Sequence, residues 1–154
     1  MINTLKWPLI VSLVVMGARI LLEEMGAPHV INSILGVAWL SFLIPIYLAV
    51  RLAGSGEEHP YRVLLKLIAL YAVSVRLLVL VTYSMAYLFS WSAPRFSVQG
   101  GGVVGEGVTA LQGLLLTPAT NFPFGVVMSA VFGLLVGPAA LALSRYRIRA
   151  KAAN

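Results

Sequence analysis

YRVLLKLIALYAVSVRLLVLVTYSMAYLFSW, residues 61–91, carries one arginine, Arg76, in the middle of an apolar run. As an α-helix rising about 1.5 Å per residue the run is roughly 45 Å long, longer than the roughly 30 Å hydrocarbon core of a bilayer requires. An arginine near the bilayer centre costs from about 3 to more than about 10 kcal/mol, depending on the measure, so it must face protein or water and have a partner. The helix is therefore read as a span inside a bundle, with Arg76 turned away from lipid.

The composition around it agrees. Of 154 residues, 60% are hydrophobic and 10% charged, against roughly a quarter charged in soluble domains. The expected fold class is an all-α integral membrane protein, a four-helix antiparallel transmembrane bundle. It fills residues 1–154 as a single transmembrane domain, with spans at about 7–25, 30–52, 61–91 and 122–145 and an outer loop at 92–121. No length is left for a separate soluble domain. With no cysteine, disulfides, thiolate nucleophiles, c-type haem attachment and Cys-ligated clusters are excluded.

The first apolar run, Trp7 to Leu22, follows Lys6 and imitates a signal peptide. It ends on Glu23 and Glu24 without a small-residue cleavage site and contains Arg19, so it reads as a retained span. Gly26-Ala27-Pro28 makes a tight connection to the second run, and the two helices are antiparallel neighbours. Pro45 within the second run frees the carbonyl of Ser41 and predicts a kink. After Trp91 the chain is Gly-rich and almost uncharged. There Val108 to Leu116 is too short to span and reads as an interfacial helix or an arm of a re-entrant loop.

Basic residues set the orientation. Lys6, Arg51, Arg62, Lys66, Arg145, Arg147, Arg149 and Lys151 fall on one side and only Arg95 on the other. The positive-inside rule then puts both termini in the cytoplasm, with a bacterial inner membrane as the expected host. The formal charge of +6 is thereby explained as topology, and no nucleic-acid partner is expected. Trp7, Tyr61, Tyr87 and Trp91 near the span ends suit an aromatic belt.

Two stripes carry the candidate chemistry. Lys66, Ala69, Val73, Arg76, Leu80, Tyr83, Tyr87 and Ser90 share one face of the central helix, and Ser12, Met16, Arg19 and Glu23 share one face of the first. The expected network joins Arg19 and Arg76 to Glu23, Glu24 and Glu106, assisted by Tyr83. Such a network either fixes helix register or forms a ligand or ion site opening toward the outer face. On the fourth helix Gly125, Ser129, Gly133 and Gly137 recur every four residues. Small residues in that register let a second helix approach closely, within the bundle or from another subunit.

His29 and His59 fall near opposite faces, about a membrane thickness apart, which disfavours a shared haem. No catalytic, metal-binding or nucleotide-binding motif occurs, so no catalytic residue, metal or cofactor is expected. The leading functional expectation is a non-enzymatic membrane subunit. Its partners are the lipid bilayer and either further copies, as a homo-oligomer, or other membrane subunits met through the fourth helix. The alternative is a transporter or channel for a small anion or protons, using Arg76, Arg19 and Glu23. A lipid- or quinone-directed membrane enzyme is a further alternative, with a desolvated Glu23 or Glu106 as acid or base.

Overall fold

The computed structural model describes residues 2–34 and 36–152, and every element of regular structure among them is helical. α1 runs Ile2–Glu24, α2 His29–Ile34, α3 Val37–Ala53, α4 Pro60–Phe89 and α5 Thr117–Ala152. Among the described residues three stretches are long and apolar enough to cross a membrane: Thr4–Glu24, Pro60–Phe89 and Gln112–Ala152.

α4 is the expected central helix, with both ends explained locally. Pro60 stands at its start, where a missing N–H breaks no helical bond. Ser90 stops it in the left-handed conformation, φ 51° and ψ 47°, its N–H returning to the carbonyls of Ala86 and Tyr87.

The expected continuous span at 30–52 is divided. α2 ends at Ile34, and Gly36 is extended, φ −85° and ψ 141°, at the start of α3. Glycine, the poorest helix former after proline, allows the break. α3 has 17 residues, about 25 Å of helix, which is short of a roughly 30 Å hydrocarbon core. Pro45 lies within α3 and is buried. α3 packs most extensively against α5, where Phe42 and Phe132 stack at 4.6 Å.

The fourth apolar helix is also longer than expected. Residues Val108 to Leu116 do not form a separate element: the helix is under way by Ala110, widens into a π turn at Gln112–Leu116, and continues without interruption as α5. At its other end the basic residues from Arg145 to Lys151 extend the helix past the apolar run. The loop expected at 92–121 therefore shrinks to about 91–109.

Among the described residues two buried clusters hold the bundle. The larger joins Met16 of α1, Leu40, Ile44 and Leu48 of α3, Leu64, Ile68, Tyr71 and Val75 of α4, and Leu141 of α5. The smaller, at the loop end, comprises Ala86, Ala93, Phe96 and Val103 with Ile20, Tyr83, Tyr87 and Trp91 packed on it. The Gly-rich segment is thus a folded cap. Val103 and Val104 donate backbone bonds to the Phe96 carbonyl at 2.7 Å, and Gly102 to Ser97 at 2.8 Å. A Cβ on Gly102 would strike the backbone of Phe96, so only glycine closes this turn. Outward positions such as Val14, Leu43 and Leu135 remain exposed and apolar, as helices surrounded by lipid require.

Candidate functional site

Arg76, halfway along α4, reaches across the small residues of α5. A Cβ on Gly125 would lie 2.8 Å from Arg76 Cδ and 3.0 Å from its Nε, so the missing side chain makes room for the arginine stem. One turn further along α5, Ser129 Oγ accepts a hydrogen bond from Arg76 Nε at 2.9 Å. Ser41 of α3 donates to the same oxygen at 3.3 Å. Ser41 and Ser129 are fully buried. Three helices meet at this junction through one guanidinium and two hydroxyls, and among the described residues no carboxylate pairs with Arg76.

Beside the junction lies a cavity of about 220 Å³ between α4 and α5. Arg76, Val79, Leu80 and Tyr83 line it from α4, and Pro118, Asn121, Phe122, Phe124, Gly125 and Met128 from α5. Its charge comes from Arg76 alone, with polar groups added by Tyr83 and Asn121. Asn121 and Phe124 of its lining are exposed, so the cavity reaches the surface of the bundle. The π turn shapes the neighbouring packing. Gly113 sits so close to the Tyr87 ring that a Cβ could not fit, and Ser84 donates to the Leu114 carbonyl at 2.9 Å. That bond serves a carbonyl in the segment where the regular helical ladder is interrupted.

The second charged cluster lies at the loop end. Arg19 Nε donates to Glu23 Oε1 at 2.8 Å, and Arg95 Nε lies 2.7 Å from Glu23 Oε2. The latter is a charge contact without hydrogen-bond alignment, since neither atom has a hydrogen-bond partner. The Glu23 side chain is only 5% exposed. Arg95 also lies over the Phe96 ring, 4.4 Å from its centroid. Burial pushes the Arg95 pKa down, the Glu23 carboxylate opposes that shift, and Arg19 adds to it. Glu24 meets backbone instead of arginine. Its two oxygens accept from Ala93 N at 3.0 Å, Ser92 Oγ at 2.9 Å and Ser92 N at 3.3 Å. Glu23 and Glu24 together fasten the cap to the end of α1.

The structure therefore distributes the expected network over two places. Arg19 and Glu23 meet, Glu24 lies next to them on the cap, and Arg76 stands apart on serines. Tyr83 connects the two regions: it lines the Arg76 cavity and packs edge-on against Phe96 at 5.2 Å. Glu106 is exposed and has no ion pair among the described residues. The His29 side chain lies outside the described residues.

Gly125, Ser129, Gly133 and Gly137 are all buried within this chain. Added Cβ atoms at Gly133 and Gly137 would meet Ile68 at 2.7 and 2.9 Å and Pro45 at 3.1 and 3.5 Å. Of the two uses that the spacing allows, the bundle's own packing takes the stripe.

Arg95, Ser41 and Asn121 were not foreseen as site residues. Arg95 carried a signal, being the lone basic residue assigned to the side of Glu23 and Glu24. Ser41 enters the sequence pattern only through the carbonyl that Pro45 frees, and Asn121 belongs to no spacing pattern. A wider cleft of about 470 Å³ at the opposite end includes Thr4, Arg51, Ser55 and Glu57. Arg51 donates there to the Tyr47 hydroxyl at 3.1 Å, and Glu57 in the same lining gives the cleft charge of both signs, whereas the Arg76 cavity carries a cation alone. Comparison with protein-family models, curated proteins and solved structures finds no match for this chain.

Proposed function

We propose that this is a non-enzymatic integral membrane protein that binds an anionic group at Arg76, within a bundle whose termini face the cytoplasm. The observation that carries the reading is a guanidinium at mid-helix beside a cavity, hydrogen-bonded to serine and without a carboxylate partner among the described residues. Intramembrane ionisable groups commonly mark ligand or ion pathways, and a guanidinium without a carboxylate partner leaves its charge available to an external anion. Arginine stays protonated in proteins, and its planar fork suits carboxylate or phosphate oxygens. Binding is the minimum function, and carriage of the anion across the bilayer is its extension. Assembly with further copies would need a surface other than the α5 stripe, which is occupied by Pro45, Leu64, Ile68 and Arg76.

The test is thermal unfolding in a neutral detergent with nitrate, inorganic phosphate or octanoate. A ligand at 100 times its Kd stabilises the folded state by about 2.7 kcal/mol. At least one anion is expected to raise the midpoint of the wild type and to leave Arg76→Gln unmoved. No response to any of the three, or an equal response in Arg76→Gln, would refute the reading.

A further inference from the structure

We infer that the occupant of the Arg76 cavity is a single-chain acidic amphiphile, a long-chain carboxylate that enters sideways from the bilayer between α4 and α5. The inference rests on the reading of Arg76 as the anion-binding group and adds the class of ligand and its route.

Four observations carry it. The walls are apolar apart from Arg76, Tyr83 and Asn121, so they suit a chain better than a hydrated ion. The exposed Phe124 belongs to the lining and lies within the stretch of α5 that is apolar enough to cross a membrane, so an apolar surface adjoins the cavity. Toward the loop end, Tyr83 packs against the buried Phe96, and the π turn carries Gly113 against Tyr87. A ligand arriving from the aqueous side would have to pass this packing, whereas one already in the bilayer would not.

The fourth observation is the binding chemistry. Nε of Arg76 is committed to Ser129, which leaves the two terminal nitrogens for a carboxylate. Two parallel N–H···O bonds are the geometry that an arginine and a carboxylate make most readily. Asn121 and Tyr83 supply further polar groups in the same wall. The volume of about 220 Å³ is roughly seven times the ~30 Å³ share of a water molecule. That holds a headgroup and the first part of one chain, with the remainder lying along the exposed apolar faces of α4 and α5. A carboxylic acid in a bilayer resists ionisation because burial disfavours its charged form, and a fixed cation reverses that preference.

The probe is a long-chain fatty acid bearing a photoreactive diazirine on its chain, at a few mole per cent in vesicles of neutral phosphatidylcholine containing the full-length protein. Labelling is expected at Phe122, Phe124 and Met128. Unlabelled oleate should compete, whereas its methyl ester and inorganic phosphate should not. Arg76→Gln should lower labelling at these residues at least about tenfold, as loss of a charge-assisted pair implies. Met128→Trp, which fills the cavity while keeping the charge, should do the same and covers the case in which Arg76→Gln does not fold. Labelling spread evenly around the bundle, or competition by the methyl ester equal to that by oleate, would overturn the inference. If phosphate stabilises the protein through Arg76 but the acid labels nothing, the amphiphile is wrong and the anion site stands. If neither acts, both fail.

Discussion

Arg95 lies 2.7 Å from a buried carboxylate and over an aromatic ring, whereas Arg76 meets one serine hydroxyl and faces a cavity. The same side chain is used in two ways within one bundle. At the loop end the Glu23 carboxylate receives two guanidinium groups, and a folded cap is held on α1. At mid-length the charge is positioned by neutral hydroxyls, which orient it without neutralising it. A cation that meets an anion of its own chain has its charge balanced there, and Arg95 has one. Arg76 has none among the described residues, and that contrast is the physical basis for reading one cluster as a clasp and the other as a site.

The clasp should be the more costly to break. Glu23→Gln leaves Arg19 and Arg95 half-buried without their shared anion and is expected to cost about 3–5 kcal/mol, read as a lower midpoint of unfolding in detergent. A change below about 1 kcal/mol would assign the cluster to the weak class of solvated ion pairs. The packing beneath the site comes next. Gly133→Leu drives a side chain into Ile68 and Pro45 and is expected to cost about 1–3 kcal/mol, with the mass of the detergent complex unchanged. Loss of an oligomer without a change in stability would return the α5 stripe to an intersubunit role.

Smaller effects sharpen the contrast. Gly102→Ala pushes a Cβ against the Phe96 backbone and is expected to cost about 1 kcal/mol. Limited proteolysis should then cut faster within 92–105 and no faster around Arg76. Ser41→Ala removes one donor from Ser129 at an expected cost of about 0.6 kcal/mol, the average for hydrogen bonds between membrane helices. An effect several times larger would mean that the serine pair carries the Arg76 geometry as a unit.

Helix identity and the principal faces were legible in the sequence because apolar period and small-residue spacing are local properties. Pairing across the bundle was less so. Arg19 and Glu23 are four residues apart on one helix, and their contact follows from that spacing. Arg76 with Ser129, and Arg95 with Glu23, join residues distant in the chain, and no periodicity encodes which stripe faces which. The break at Gly36 follows a weak local preference that an apolar run concealed. The π turn at Gln112–Leu116 left no compositional mark. The glycines of segment 92–105 are legible as turn formers, but composition does not show that Gly102 permits the close approach to the Phe96 backbone that closes the cap.

The measurement that tests the central claim most directly is native mass spectrometry of wild type, Arg76→Gln and Arg95→Gln, each extracted gently from its own membrane. The account predicts a stoichiometric small acidic molecule on the wild type and on Arg95→Gln, and its loss from Arg76→Gln. Retention by Arg76→Gln, or equal loss from both variants, would contradict the division between clasp and site.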